Sequence, residues 1–251
     1  MVATNLYMDS AGVGSKVAAI VVAGGSGSRF GAPLPKQFHE LNGYPVYIWP
    51  ISQILSMHTV MHIVITAPPE HIARVQSDLL IFSEPQRQRV SVIAGGATRQ
   101  ESVYNALHHL VEHSPDLVII HDGARPFAGV KSFNDCLSTL KKSGACTIGM
   151  PVSDTIKKID HDVIVETVDR SQLWSVQTPQ GAPFKLLLQC HEGARANGIS
   201  VTDDAAILES FGHKVTIFAG FSHNIKVTVA DDFKTCQLLS PLYLSNKPMQ
   251  P

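Results

Sequence analysis

The sequence predicts an α/β protein: a mostly parallel, twisted sheet with helices on both faces, plus a protruding β-hairpin arm. Three observations predict it. Short apolar runs of strand length recur along the chain, each followed by a plausible helix, and that alternation builds a parallel sheet covered on both sides. A hydrophobic share of 44% supplies a core, while a charged share of 16% is too low for disorder or a coiled coil. The alternation breaks once, near residues 155–168, where two alternating runs flank a polar turn.

The elements follow in order. Residues 16–23 (KVAAIVVA) read as a buried strand, and 44–57 as a helix with Pro45 near its first turn. A second strand is expected at 61–66 (MHIVIT), a helix at 71–80 and a third strand at Val90–Ala94. Residues 99–112 place Val103, Ala106, Leu107 and Leu110 on one helical face. A strand at 117–121 (LVIIH), a helix at 130–143 and a strand at 145–152 come next. Residues 155–159 and 163–168 then read as a hairpin turning at Asp160-His161-Asp162. Two strands alone are marginal in water, so the hairpin must lean on its own domain or on a second subunit. Helices are expected at 184–197 and 202–211, the latter with Thr202 as N-cap and Asp203 and Asp204 at the positive end of its dipole. Strands at 214–218 and 224–227 and a helix at 230–239 close the pattern. The expected organisation is one domain over 16–240 with an arm at about 152–173, a flexible leader at 1–15 and a flexible tail at 241–251.

Charge and cysteine usage exclude several classes. Lys+Arg 20 against Asp+Glu 21 gives a formal charge of −1, so nothing draws the chain in bulk to nucleic acid or to an anionic membrane. An anionic ligand must be caught by a few placed cations. Cys136, Cys146, Cys190 and Cys236 form no CxxC and match no zinc spacing; they read as small core residues in a reducing compartment. The longest apolar run, 17–23, is far short of a membrane span, and the first residues lack the features of a secretory signal. A cytoplasmic protein is expected, with no nucleic-acid or membrane partner.

The chemistry starts after the first strand, at Ala23-Gly24-Gly25-Ser26-Gly27-Ser28-Arg29-Phe30-Gly31. Glycines let the backbone approach a ligand and present amide N–H groups to an anion. A dinucleotide fingerprint needs glycine where Phe30 stands and an acid where Thr66-Ala67-Pro68 stands, so a dinucleotide-dependent oxidoreductase is disfavoured. Neither a Walker Gly-Lys-Ser/Thr nor a Gly-x-Ser-x-Gly elbow is present. Two cations, Arg29 and Lys36 of Pro35-Lys36-Gln37, flank the loop at the carboxyl end of a strand, where open α/β sheets bind ligands. A solvated loop with surface charges accounts for this segment alone about as well. The twelve histidines show no ligand spacing and read as surface or core residues.

Further motifs narrow the reading. AGGSGSRFG followed by PKQF, then His121-Asp122-Gly123-Ala124-Arg125-Pro126, Thr167-Val168-Asp169-Arg170, Gln177-Thr178-Pro179-Gln180, Thr202-Asp203-Asp204-Ala205 and Asn224-Ile225-Lys226-Val227-Thr228 occur in one order. Together they resemble the 2-C-methyl-D-erythritol 4-phosphate cytidylyltransferase family of the sugar-phosphate nucleotidyltransferases, which serves the non-mevalonate isoprenoid pathway. The resemblance runs from about residue 16 to 239 and implies a Rossmann-like nucleotidyltransferase fold. It implies an enzyme that transfers a cytidylyl group from CTP to 2-C-methyl-D-erythritol 4-phosphate. Pyrophosphate leaves and 4-diphosphocytidyl-2-C-methyl-D-erythritol forms. Mg²⁺ would travel on the CTP phosphates without a protein metal site, and the arm would join a homodimer. A sister family that activates ribitol 5-phosphate and a catalytically silent nucleotide-binding protein are the alternatives. Leu173-Trp174 resembles the methylerythritol type, and Arg29, Lys36 and Lys226 are all present, which speaks against a silent protein.

The resemblance also implies roles. Arg29 and Lys36 would stabilise the transition state at the α-phosphate, with Arg170 and Lys226 completing the catalytic set. Ala23, Gly24, Gly25 and Gly27 would surround the nucleotide, and Gly96 and Ser102 would read cytosine. Asp122, Gly123 and Arg125 would lie at the junction of nucleotide and substrate. Asp122, Thr155, Arg170, Thr202 and Lys226 would contact the substrate. Two departures from the family pattern, at Val22-Ala23-Gly24-Gly25 and at Ala97, fall where contacts through the backbone are expected. Phosphoryl chemistry suits this inventory: a phosphomonoester with a second pKa of about 6 is already ionised and needs positioning and charge neutralisation more than a general base.

Overall fold

The computed structural model describes residues 14–25, 30–31, 34–244 and 248. Most of the expected leader and much of the expected tail therefore lie outside the described residues. In chain order come β1 (Val17–Val22), β2 (Glu40–Leu41), β3 (Tyr44–Pro45), α1 (Ile48–Leu55), β4 (Val60–Ala67), α2 (Ile72–Asp78) and α3 (Glu84–Arg87). Then follow β5 (Val90–Ala94), α4 (Arg99–His109), β6 (Leu117–Asp122), α5 (Gly129–Ser143) and β7 (Cys146–Pro151). The arm is β8 (Ile156–Asp160) and β9 (Val163–Val168); β10 (Trp174–Pro183), α6 (Phe184–Ala196), α7 (Asp204–Ser210), β11 (Thr216–Ala219) and α8 (Ala230–Tyr243) complete the chain.

The sheet runs β11-β7-β10-β6-β1-β4-β5. Its pairs are parallel except those of β10, which is antiparallel to both β6 and β7. The period of two along β1 explains its continuous apolar run. Val17, Ala19 and Val21 enter a core with Ile51 of α1 and Phe133 of α5, while Ala18 and Ile20 enter a second core with Val103 of α4 and Leu187 of α6. A third, smaller cluster joins Trp49, Phe127, Val227 and Cys236. All four cysteines are buried and unbridged, as expected of core thiols. Among the described residues no helix is long and apolar enough to cross a membrane.

Three expectations need correction, and one strand is added. The helix expected from residue 44 starts at Ile48, because Asn42 (φ 53°) and Gly43 (φ 77°) turn Glu40–Leu41 back onto Tyr44–Pro45. That is the Asn-Gly hairpin signal, which places Pro45 in a strand. Residues 174–183 received no assignment from the sequence, and β10 is there a central strand. Residues 224–227 join no sheet; Asn224 and Val227 are instead pinned to neighbouring segments one bond at a time. Asp203, not Thr202, caps α7, accepting from the Ala206 N–H at 3.0 Å. The hairpin itself forms as expected, and its apolar side chains stand open: Ile159 is 62% exposed and Val163 69%.

Candidate active site

The strand order reverses between β1 and β6. Outside the carboxyl ends of β1, β4, β5 and β6 lies a cleft of about 930 Å³, the position where open α/β sheets hold ligands. Ala23, Gly24 and Gly25 form one wall and Gly95, Gly96 and Ser102 another. Lys36, Asp122, Thr202 and Lys226 also line it. Gly27 and Arg29 lie outside the described residues.

Local chemistry shapes both walls. After Pro35 the chain makes a short 3-10 turn, Lys36–Phe38, that buries Gln37 and Phe38 and leaves Lys36 at the cleft. The Gln37 Nε2 donates to the carbonyls of Ala23 (2.7 Å) and Gly25 (3.0 Å) and so fixes the entry of the glycine loop. Opposite, the Gly96 N–H donates to Ser102 Oγ at 3.0 Å, and Ser102 Oγ donates to the Thr98 carbonyl at 2.9 Å. Thr98 caps α4 by accepting from the Glu101 N–H. The hydroxyl proton of Ser102 is thus committed to the loop, and only an acceptor lone pair remains for a base. A Cβ at Gly24 would stand 3.3 Å from Ser102 Oγ, and one at Gly96 would stand 2.2 Å from Glu101 Cγ. Lack of room, from the facing wall at Gly24 and from the first turn of α4 at Gly96, and not backbone angle, favours glycine here.

Behind the cleft sits a buried ion cluster. The Asp122 carboxylate, 8% exposed, receives Arg99 Nε at 2.9 Å, Lys226 Nζ at 2.8 Å and Arg125 Nε at 3.6 Å. Arg99 also reaches Asp204 of α7 through Nη1 at 2.8 Å, and Asp204 meets His191 Nε2 at 3.2 Å. Burial alone pushes the Asp122 carboxyl up; the Arg99 guanidinium, then Lys226 and Arg125, hold it well below the usual carboxylate range. Asp204 is likewise held below that range, against its burial, chiefly by Arg99. The cluster is held to the sheet as well. Arg125 Nη1 donates to the Asn224 carbonyl at 2.8 Å, and Asn224 Nδ2 donates to the Thr178 carbonyl at 2.9 Å. The run that carries Lys226 is thereby held against β10 and the turn after β6. Three cations face two carboxylates, 3 − 2 = +1, and Lys226, 36% exposed, carries its ammonium to the cleft.

The remaining expected residues fall in two groups. Gly123 packs under the cleft, where a Cβ would meet the Val22 carbonyl at 3.1 Å, and Arg125 is buried behind Asp122. Thr155 and Arg170 sit on the arm, exposed and away from this cleft, with Arg170 Nη1 donating to the Ser153 carbonyl. Sequence reasoning missed Gln37, Arg99 and Gln180. Gln180 Nε2 donates to Thr147 and Asp203, while its Oε1 accepts from the N–H groups of Asp204 and Ala205 at the start of α7. Gln37 and Gln180 lay inside recognised motifs; Arg99 had no signal beyond its place at a helix start.

This strand order, with a glycine-walled cleft and a net positive cluster at the switch point, defines an α/β nucleotidyltransferase. A family model for IspD, 2-C-methyl-D-erythritol 4-phosphate cytidylyltransferase, matches residues 17–240. The chain belongs to that family. It is 40% identical over 213 residues to the 2-C-methyl-D-erythritol 4-phosphate cytidylyltransferase of Bacillus mycoides, covering 85% of this chain and 92% of that one. It is 38% identical over 217 residues to the enzyme of the same name from Clostridium beijerinckii, covering 86% and 94%. Among solved structures, the 4-diphosphocytidyl-2C-methyl-D-erythritol synthase of Anaerococcus prevotii superposes with a TM-score of 0.79 at 26% identity, over 95% of this chain and 100% of that one. The 2-C-methyl-D-erythritol 4-phosphate cytidylyltransferase of Thermus thermophilus gives 0.74 at 27%, over 90% and 100%.

Proposed function

We propose that the cleft transfers the cytidylyl group of CTP to 2-C-methyl-D-erythritol 4-phosphate. The observation that carries this reading is the ion cluster: a site with one uncompensated cation beside a glycine wall suits two phosphates and a phosphoryl transfer. A phosphate oxygen of the acceptor attacks the α-phosphorus of CTP. One P–O bond forms, the bond from α-phosphorus to the bridging oxygen breaks, and pyrophosphate leaves. Lys36 and Arg29 neutralise charge at the α-phosphate and the leaving group, and Lys226 orients the acceptor's phosphate. Asp122 holds Lys226 and, already ionised, takes no proton.

Cytosine fits the second wall. Ser102 Oγ retains a lone pair that accepts from the exocyclic amine of cytosine, a donor that uracil lacks. The metal arrives with the nucleotide. Among the described residues no group of three His, Cys, Asp or Glu side chains is arranged to hold an ion, and the carboxylate of Asp122 is already surrounded by cations. Mg²⁺ carried by the CTP phosphates would neutralise their charge as part of the co-substrate.

The arm completes the site in a homodimer: Thr155 and Arg170 of one protomer reach the cleft of its partner. Exposed Ile159, Val163, Ile164 and Val165 support this, because a strand pair with that much apolar surface needs a cover. One steady-state experiment tests the chemistry: pyrophosphate release with CTP, UTP, ATP and GTP against 2-C-methyl-D-erythritol 4-phosphate and ribitol 5-phosphate. Release with CTP and the methylerythritol substrate alone is expected. Equal use of UTP would overturn the base assignment, and preference for ribitol phosphate would overturn the acceptor.

A further inference from the structure

We propose that Arg99 is a positioning residue, whose buried guanidinium ties Asp122 at the cleft to Asp204 on α7 and so fixes the carboxylate on which the Lys226 ammonium docks. The proposal rests on the cytidylyl-transfer reading above. Arg99 opens α4, directly after the Thr98 cap, so its backbone is set by the same turn that shapes the second wall. Its Nε faces Asp122 at 2.9 Å and its Nη1 faces Asp204 at 2.8 Å. Its third nitrogen, Nη2, is buried without a hydrogen-bond partner, while the side chain as a whole is 21% exposed and lines the cleft. With Nε and Nη1 both turned to carboxylates, Arg99 acts through Asp122 and Asp204.

The span explains why arginine stands here. A planar guanidinium offers donors in fixed directions to two carboxylates at once, whereas an ammonium is a point charge on a flexible stem. Asp204 is anchored in turn: its Oδ1 faces the buried His191 Nε2, and its backbone N–H donates to Gln180. The series His191, Asp204, Arg99, Asp122 and Lys226 thus runs from α6 through the start of α7 to the cleft. Thr202, which lines the cleft, lies two residues before Asp204. One guanidinium consequently sets the relative place of Lys226 and of the segment carrying Thr202.

The charged groups around Asp122 are Arg99 from α4, Arg125 from the turn after β6 and Lys226, with the imidazole of His121 adjacent on β6. Arg99 is the largest influence holding its carboxyl down, and its removal raises the pH at which Asp122 takes up a proton.

The test separates positioning from charge balance and from folding. Arg99→Met alone leaves Asp204 as a buried carboxylate that keeps its His191 contact but has lost its guanidinium, and will lose stability. The double variant Arg99→Met/Asp204→Asn removes that carboxylate and keeps the cluster's net charge: 3 − 2 = +1 becomes 2 − 1 = +1. Thermal unfolding should recover in the double variant relative to Arg99→Met. Its kcat/KM should still fall on the order of 10- to 100-fold, the usual loss when a partner that orients a working group is removed. Its pH–rate profile should gain an acid limb at higher pH than the wild type. Arg99→Lys, which reaches one carboxylate at a time, should fall between wild type and Arg99→Met. A double variant as stable and as active as the wild type would overturn the proposal. The second readout needs no substrate: carboxyl ¹³C titration of Asp122 should move upward in the double variant, and an unmoved titration would equally overturn it. If the wild type transfers no cytidylyl group, the functional reading fails, while this titration still decides the role of Arg99.

Discussion

His121 shows how one buried side chain serves the site from below. The Asp122 N–H donates to Thr178 Oγ1, so that hydroxyl turns its own proton to His121 Nδ1, and His121 Nε2–H donates to the Arg125 carbonyl. The ring is neutral with its proton on Nε2. Burial keeps it so, pushing its pKa down to about 4 against an ordinary value of 6.5. A folded-state value below the unfolded one means that the unfolded chain binds the proton first. Stability is therefore unaffected above pH 6.5, falls as the pH drops through 6.5, and reaches its full loss near pH 4. At about 1.4 kcal/mol per pKa unit, that loss is roughly 3 kcal/mol. Urea midpoints measured from pH 7.5 to 4 should show it, and a His121→Gln variant should give a shallower slope; an equal slope would remove His121 from the acid response. At the cleft face, Lys36→Ala should lower kcat on the order of 10²–10³-fold, the usual loss of one preorganised charge-stabilising group. CTP affinity, measured by titration, should change less. Near-normal turnover would take Lys36 out of the chemistry.

At the scale of elements, the start of α7 separates cap from ligand. Asp203 Oδ1 accepts from the Ala206 N–H and Oδ2 from Gln180 Nε2, leaving Thr202 exposed at the cleft. Asp203→Ala should cost about 1 kcal/mol of stability as a lost cap. Thr202→Val should leave the melting temperature unchanged and raise KM for the phosphate acceptor, by roughly 2- to 10-fold for a neutral hydrogen bond. Reversed effects, with Thr202→Val lowering the melting temperature and Asp203→Ala raising KM, would restore the cap to Thr202. That exchange of roles marks where the sequence stops being legible. Both residues are good caps by type, and only the bond from Gln180, whose partners lie far away in sequence, selects Asp203. β10 escaped for a related reason. Its Gln177-Thr178-Pro179-Gln180 run carries polar groups that bond Thr147, Asp203 and Asn224, so a buried strand wears the composition of a loop. The parallel strands were legible because both faces of each are covered by helices, leaving an apolar run. Asn42-Gly43 was legible in principle, since that dipeptide is the strongest short hairpin signal, but the apolar stretch after Pro45 masked it. Arg99 carries no local mark, because its meaning lies in two carboxylates from β6 and α7.

For the molecule as a whole, the unresolved demand is the arm. β8 and β9 pair only with each other, and their apolar side chains face outward while Arg170 stands at the base of the arm, away from the cleft. The proposed two-fold dimer would meet both needs at once, since an isologous contact would cover the same surface on each protomer and carry each arm to the other's cleft. Complementation tests it. Arg170→Ala and Lys36→Ala homodimers should each be nearly inactive, because every site in them lacks one cation. After reversible dissociation and mixing in equal amounts, random pairing makes about half of the dimers hybrids. Each hybrid has one site that joins an intact cleft with an intact arm, so roughly a quarter of wild-type activity should return. Subunit exchange is verified separately by mass-tagged protomers. If exchange occurs and no activity returns, Arg170 serves the cleft of its own chain and the arm is not shared. Recovery near a quarter assigns the arm to the partner's site, and with it the reason that so much apolar surface stands uncovered on one protomer.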